Sequence, residues 1–362
     1  MANDPSSPRP PLSGGAILLR LAAIGALLAA LAGAFLYAGG WLTPGKLGPH
    51  RFLALLEKAG IHAGYRRNHA KGLCVAGYFE SNGQGARLSK ASVFQAGRVP
   101  VVGRFSIGGG DPRGADGPQA VRGLGLQFHP ADGQEWRTAM IHFPVFPVRT
   151  PEEFYGLLVA TAPDPATGKP DGAKVKAFLG SHPGVARALG VIQTTPPPPF
   201  ADAAYHGLNA FYFTNTSGAT VPVRWTLVPE NPAAAAAAAE AGEPDKNILF
   251  DQLLGRLENG PLRWRLVLTV GRPGDPTDDA STAWPDDREQ VDAGTVVIER
   301  AVGDKESRAQ DLNFDPLVLP PGIAPSADPL LSARSAVYSR SFTRRAGEKL
   351  APGSSETFQP RP

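Results

Sequence analysis

Short runs in which apolar and polar residues alternate, or in which β-branched residues dominate, recur along the chain and predict its strands. They cover residues 72–79, 101–107, 123–128, 141–148, 210–213, 221–228, 262–270 and 296–300. Alternation with a period of two directs successive side chains to opposite faces of a sheet. Roughly eight such strands, in two groups, predict an antiparallel sheet that closes into a barrel.

Helical patterns lie before, between and after the two groups of strands. They cover residues 49–59, a segment that opens at Pro151, residues 172–189 with a break at Pro183, and residues 248–257. Proline is favoured in the first turn of a helix and interrupts a helix elsewhere. Barrel strands with inserted and flanking helices predict the α+β class.

An alanine-rich run at residues 233–239 has two interpretations. Asn231 and Pro232 precede it in the order of an N-cap and a first helical position, which favours a helix between barrel strands. A low-complexity linker is the alternative.

Residues 21–38 form an apolar run without a single charge. As a helix this run would extend roughly 27 Å, close to the thickness of a bilayer core. Tyr37 and Trp41 stand where interfacial aromatic residues are common. We expect a transmembrane signal-anchor that leaves the catalytic part on the periplasmic or extracytoplasmic side. A cleaved signal peptide is the alternative, because residues 32–34 (Ala-Gly-Ala) suit a cleavage site.

These patterns divide the chain into five segments. They are a short tail (1–20), the membrane anchor (21–38), a linker with a short helix (39–60), one large folded domain (61–346) and a flexible tail (347–362). The net charge of +3 is scattered rather than clustered, which argues against nucleic acid as a partner. The 42 glycines and 37 prolines suit a barrel with many turns and loops.

Two segments near opposite ends of the folded domain carry the candidate chemistry. Residues 66–72 read Arg-Arg-Asn-His-Ala-Lys-Gly, and residues 334–338 read Arg-Ser-Ala-Val-Tyr. A tyrosine binds ferric iron as phenolate, although free phenol has a pKa near ~10. Arg334 lies four residues before Tyr338, so a helix would place both on one face. The guanidinium charge would then favour the ionised phenol.

Together these segments resemble the two faces of the haem pocket of catalases, and most closely that of the shorter catalase-related peroxidases. The Pro-Pro-Gly-Ile turn at residues 320–323, a short loop and the Arg-x-x-x-Tyr pair follow one another as in the proximal catalase segment. The resemblance implies a catalase-like domain with an eight-stranded antiparallel barrel. It also implies haem b, held without covalent bonds because the lone Cys74 cannot form a Cys-x-x-Cys-His site.

The resemblance assigns a role to individual residues. Tyr338 would be the iron ligand, and His69 would move the proton between the two peroxide oxygens. Ser106, in the strand Arg-Phe-Ser, would orient the His69 ring. Arg104, in the same strand, would pair with a haem propionate. The cofactor-binding residues implied in this way are Arg66, Arg104, Phe146, Phe154, Arg334, Tyr338 and Arg345.

One position departs from the family pattern. Catalases carry Asn-Asn-Thr-Pro where residues 141–144 read Ile-His-Phe-Pro, so that the family's peroxide-binding asparagine falls on Ile141. Isoleucine has no hydrogen-bond donor. Either the distal pocket has one polar group fewer, or the neighbouring His142 replaces it. A missing donor could cost about 10²–10³ in rate, which puts fast peroxide disproportionation in doubt.

The expected function is therefore a haem peroxidase with weak catalase activity that serves in peroxide detoxification. It would reduce hydrogen peroxide or small organic hydroperoxides with an unidentified external electron donor. One alternative is a haem enzyme that rearranges lipid hydroperoxides, and another is a haem-binding or sensing protein with little turnover. The membrane is an expected partner through the N-terminal helix, and an oligomer is compatible with the sequence.

Overall fold

The computed structural model describes residues 13–38, 42, 47–117, 119–164, 166–193, 197–232, 246–302 and 311–348. The chain divides between Gly48 and Pro49 into two compact units. The first contains α1 (Gly14–Ala38), which includes a 24-residue stretch long and apolar enough to cross a membrane. A signal sequence has the same length and composition. Arg20, expected to precede the apolar run, lies within this helix.

The second unit is built on a closed antiparallel barrel. Its strands are β1 (Gly72–Ser81), β2 (Gly97–Ile107), β3 (Arg122–Phe128), β4 (Trp136–Ile141), β5 (Tyr205–His206), β6 (Phe211–Thr214), β7 (Thr220–Pro229), β8 (Leu262–Val270), β9 (Glu289–Val302) and β10 (Ile323–Pro325). The ring runs β1-β2-β3-β4-β5-β7-β8-β9 and closes where β9 pairs with β1. β6 adds to β7, and β10 adds to β6. The predicted α+β class and eight-stranded antiparallel barrel are confirmed.

The strand predicted over residues 141–148 is wrong. β4 lies earlier, and residues 142–148 form bends and loop. Pro144 and Pro147 have no N–H group, so this segment cannot sustain a hydrogen-bonded ladder. The true strand was obscured because Arg137 and Ala139 alternate with the buried residues Trp136, Thr138 and Met140.

Helices flank the barrel and cover its outer surface. They are α2 (Pro49–Leu56), α3 (Pro151–Ala160), α4 (Gly172–Ser181), α5 (Pro183–Gln193), α6 (Ile248–Glu258) and α7 (Pro329–Ala346). The predicted break at Pro183 is confirmed, and the alanine run at 233–239 lies outside the described residues. α2 packs against α3 and α7, where the Phe52 ring stacks on Phe154 at 6.1 Å between centroids.

The barrel presents a flat, small-residue patch on its outer face. Gly72, Ser106, Gly123 and Ile141 are direct partners across β1, β2, β3 and β4, and therefore point to the same side. Next to them, Arg104 pairs with Gly125. Aromatic and aliphatic residues at the alternate positions fill the barrel interior. The glycines leave the outer face open to close approach by other groups.

Candidate active site

The loop that precedes β1 holds His69 in an uncommon backbone conformation. Its φ is +55°, in the left-handed region where only glycine is free of strain. The Arg104 guanidinium fixes this conformation by donating to the carbonyls of His69 and Ala70, each at 2.8 Å. The Ala70 N–H donates to the Gly109 carbonyl at 3.0 Å. Strain of this kind, held by surrounding bonds, is common at functional sites.

The His69 ring is oriented by its contacts with β2 and β3. Its Nδ1 lies 3.0 Å from Ser106 Oγ, the contact that the sequence predicted. A Cβ at Gly123 would lie 3.1 Å from the ring carbon Cε1, so only glycine leaves full room for the imidazole here. Because the serine occupies Nδ1, Nε2 is the nitrogen left to exchange a proton.

The environment of His69 keeps its imidazole neutral. Burial and, after it, the positive charges of Arg104, Arg66 and Arg334 together lower the pKa of His69 from 6.5 to about 4. A neutral imidazole is the form that can accept a proton. The side chain is therefore a base throughout the neutral pH range.

This pKa predicts an unusual pH profile. The kcat/KM for peroxide should stay level from about pH 8 down to about pH 5, because His69 binds a proton only as the pH falls through about 4. An ordinary histidine base would instead lose activity around its usual pKa of about 6.5. Steady-state rates across this range provide the measurement. An acid limb centred near pH 6.5 would contradict the assignment of His69 as the base.

Tyr338 lies on α7, whose start is fixed by Asp328. The Asp328 carboxylate caps the helix by accepting from the Leu330 N–H at 2.9 Å, and it accepts from Asn209 Nδ2 at 2.7 Å. Asn209 in turn accepts a hydrogen bond from Arg334, which also donates to the Ala139 carbonyl at 2.9 Å. This chain of contacts sets the rotation of α7 and places the half-buried Tyr338 beside the outer face of the barrel.

Arg334 and Tyr338 lie on one helix, as the spacing of four residues predicts, without bonding to each other. In the described part of the chain, no hydrogen bond joins these two side chains. The guanidinium bonds to Asn209 and to the backbone of β4 instead. Both residues nevertheless line one cavity, one helical turn apart. Any effect of Arg334 on the phenol would act through space.

Three further arginines gather at this cavity. Arg66 donates to the Leu312 carbonyl at 2.8 Å, and Arg345 donates to the same carbonyl. Burial, together with repulsion from Arg104, lowers the pKa of Arg66 well below its usual value and lowers that of Arg345 to about 10. Clustered cations in an apolar setting are stabilised by anions, and guanidinium groups suit carboxylates in particular.

All the predicted site residues line a single cavity of about 610 Å³. These are Arg66, His69, Arg104, Ser106, Phe146, Phe154, Arg334, Tyr338 and Arg345. Its size lies within the range of roughly 300–1,000 Å³ typical of cofactor sites. Apolar side chains form most of the remaining wall, among them Leu53, Leu124 and Val337.

The chemistry of this lining fits an iron porphyrin. The cavity offers a phenol for the iron, apolar walls for the ring and arginines for two carboxylates. In the described segments, no cluster of three or more His, Cys, Asp or Glu side chains could hold a metal ion by itself.

Residues 141–144 depart from the family pattern. Of Ile141 and His142, only Ile141 lines the cavity. His142 is buried, and its Nδ1 accepts from the Arg122 N–H at 3.1 Å. The idea that His142 replaces the missing asparagine is therefore wrong, because its ring is directed to the backbone of β3. Position 141 therefore lacks the hydrogen-bond donor that the family's asparagine would provide.

Lys71, in the same motif as His69, has a structural role. It is buried and forms an ion pair with Asp116 at 2.6 Å. Its Nζ also donates to the carbonyls of Gly114 and Lys246 and to the side chain of Asn247. Lys71 is not part of the cavity lining.

Sequence reasoning missed an ion cluster around Arg67, in the loop that carries His69. Buried Arg67 pairs with Glu57 at 2.8 Å and with Glu348, and Arg344 pairs with Glu57 at 2.5 Å. The hydrogen bond from Arg344 lowers the pKa of Glu57. Burial alone would raise the pKa of Glu348, but the hydrogen bonds from Arg67 and the Gly64 N–H lower it. The cluster ties α2, the His69 loop and the end of α7 together.

Comparisons with known proteins point to one family. The family model described as Catalase matches residues 62–351. The catalase-related peroxidase of Synechococcus elongatus is 39% identical over 299 residues, covering 82% of this chain and 88% of that protein. The catalase-related peroxidase of Mycolicibacterium paratuberculosis is 33% identical, covering 81% and 93%. The catalase of Pseudomonas syringae is 29% identical, and 57% of it is covered.

Solved structures show the same fold. A bacterial catalase matches with a TM-score of 0.69 at 22% identity over 79% of this chain, and catalase A of Saccharomyces cerevisiae matches with 0.70 at 20% identity over 81%. The matched parts make up 58% and 64% of those two chains. The chain therefore spans about three fifths of the length of these two catalases.

Proposed function

Because this chain belongs to the catalase family, we propose that it is a haem peroxidase, which reduces hydrogen peroxide or small organic hydroperoxides with electrons from an external donor. Family membership supports an oxidoreductase that acts on peroxide and uses haem. The observation that carries the proposal is the joint presence of a phenol, a neutral imidazole and an arginine cluster around one cavity.

The cavity residues divide into those that hold the cofactor and those that act on the substrate. Tyr338 would bind the iron through its phenolate oxygen, and Arg66, Arg104 and Arg345 would neutralise the carboxylates. Phe146 and Phe154 form an apolar wall, with ring centroids 5.3 Å apart. Haem b, when bound, would supply the iron that takes up the peroxide and the electrons that break its O–O bond.

His69 would carry the proton. Its Nε2 takes the proton from one peroxide oxygen and returns it to the other, so that the second leaves as water or alcohol. Ser106 keeps the ring oriented during both transfers through the 3.0 Å contact at Nδ1. The neutral state required for the first transfer is the state that burial and the neighbouring arginines favour.

The proposal is tested by adding hydrogen peroxide and a dye donor to the haem-loaded full chain. Dye oxidation that outpaces oxygen release supports a peroxidase. A haem-loaded protein that consumes no peroxide would overturn the proposal and favour a haem-binding or sensing protein.

The apolar side chain of Ile141 in the cavity wall supports the proposal of peroxidase activity rather than disproportionation. Replacing Ile141 with asparagine restores an amide donor beside Gly123 and His69. We expect oxygen release to rise several-fold, because one positioned donor can be worth up to about 10²–10³ in rate. An oxygen electrode measures this, and Ile141→Leu, which keeps an apolar side chain, serves as the control. Equal oxygen release from the asparagine and leucine variants would mean that another feature limits disproportionation.

The N-terminal helix places this activity at a membrane in our proposal. α1 contains a stretch long and apolar enough to cross a membrane, and it carries no acidic residue. Retention as an anchor would hold the catalytic unit at a periplasmic or extracytoplasmic surface, whereas cleavage would release it. Mass spectrometry of the N-terminus in membrane and soluble fractions of the native host separates these outcomes.

A further inference from the structure

Asn68 is a cavity residue to which neither the motifs nor the mechanism above assign a role. It directly precedes His69 and lines the same cavity as His69 and Ile141. A carboxamide has two distinct ends, an oxygen that accepts and a nitrogen that donates two hydrogen bonds. The question is which end faces a molecule in the cavity.

The oxygen end of Asn68 is already engaged. Its Oδ1 accepts from the His69 N–H at 3.0 Å and from the Gly109 N–H at 2.8 Å. These two bonds fix the plane of the amide and settle which end is the oxygen, because both partners are donors. The side chain is therefore held rigidly next to the catalytic histidine.

The nitrogen end is available. Within the described portion of the chain, no protein acceptor lies within hydrogen-bonding distance of Asn68 Nδ2. The residue is half-buried and lines the cavity. A fixed donor without a protein partner, beside the base, is suited to bind a peroxide oxygen.

Among the described residues, those on the Gly123 side of the His69 ring offer no such group. Ile141 pairs with Gly123, which lies against the ring and has no side chain. His142 is turned to the backbone of β3. A donor for the peroxide must come from another part of the wall, and Asn68 is the neighbour of His69 that carries one.

We propose that Asn68 is a catalytic residue whose Nδ2 hydrogen-bonds the peroxide in the cavity, a contact that the apolar Ile141 cannot make. This inference rests on the proposed peroxidase function. The amide holds the peroxide oxygens while His69 Nε2 transfers the proton, and no covalent bond to Asn68 forms or breaks.

The test compares Asn68→Val, Ile141→Asn and the double variant, all as haem-loaded full chains. Asn68→Val should lower kcat/KM for peroxide by about 10²-fold. It should also weaken cyanide binding to the ferric protein by about fivefold, the worth of one net hydrogen bond. Adding Ile141→Asn to Asn68→Val should restore most of both losses. Asn259→Val, at an exposed asparagine that follows α6 and lies outside the cavity wall, is the matched control and should leave both values unchanged.

The double variant shows whether Asn68 donates a hydrogen bond to the peroxide or only holds the loop in place. If Asn68 only holds the loop through its oxygen, an amide at position 141 cannot replace it, and the double variant will stay as impaired as Asn68→Val. Asn68→Asp can still accept the bonds from the His69 and Gly109 N–H groups but has no Nδ2 donor. This variant replaces Asn68→Val in the test if the valine variant loses haem. An aspartate variant with wild-type turnover and cyanide affinity would overturn the proposal.

Failure of the peroxidase function is recognised separately in the same series. It appears as absence of haem or of dye oxidation in the unaltered protein. Equal activity of the unaltered protein and Asn68→Val, with haem present in both, overturns only the role of Asn68.

Discussion

Replacing Tyr338 with phenylalanine should remove the haem absorption of the purified protein. Of the described residues that line the cavity, Tyr338 alone carries a phenol, and phenylalanine keeps the ring while removing the oxygen. In our proposal, loss of the phenolate ligand would leave only apolar contacts and arginine–carboxylate pairs to hold the cofactor. We expect little haem after purification, or a ferric spectrum clearly different from that of the unaltered protein. The measurement is the ratio of Soret to protein absorbance after expression with added haem.

A matched substitution controls for the loss of a hydroxyl elsewhere. Tyr155 lies on α3, packs against Phe52 at 5.6 Å between ring centroids and does not line the cavity. Tyr155→Phe should retain a normal ferric spectrum. A normal spectrum in Tyr338→Phe as well would refute the axial assignment.

Replacing His69 with alanine should leave haem bound and remove most of the peroxide chemistry. The histidine is the only imidazole among the described residues of the cavity wall, so no neighbour can take the proton. General acid–base catalysis by a positioned group is typically worth 10²–10⁴-fold, and we expect a loss of about that size in kcat/KM. Stopped-flow mixing with hydrogen peroxide, at equal haem content, measures it.

His129→Ala provides the control for His69→Ala. His129 is exposed at the end of β3 and lies outside the cavity wall. This variant should match the unaltered protein. If His69→Ala also retained full turnover, the proton would have to pass through another group, and the role of His69 as the base would be excluded.

The candidate site was largely predictable because its residues lie in short local motifs. The segments around His69, Ser106 and Tyr338 each carry their information within a few residues. The barrel was predictable for a similar reason, since alternation of apolar residues has a fixed period in a strand. β4 was not predicted, because its outward positions include Arg137 and Ala139. The proline-containing loop after it has a pattern of residues closer to that of a strand, and it was predicted instead.

Contacts between distant segments could not be read from the sequence. The pairing of Arg67 with Glu57 and Glu348, and the use of Asn209 to orient Arg334, join positions that no local pattern relates. The role of Asn68 is also invisible in the sequence, because it depends on which amide atom the backbone N–H groups occupy. Only the folded arrangement shows that Oδ1 is engaged and Nδ2 is free of protein partners in the described chain.

The most direct test is an absorption spectrum of the detergent-solubilised full chain, purified from haem-supplied cells. Oxygen release and dye oxidation are followed in the same sample after peroxide is added. We expect a high-spin ferric Soret band and dye oxidation faster than oxygen release. A folded protein that takes up no haem would contradict the assignment of Tyr338, and with it the peroxidase function.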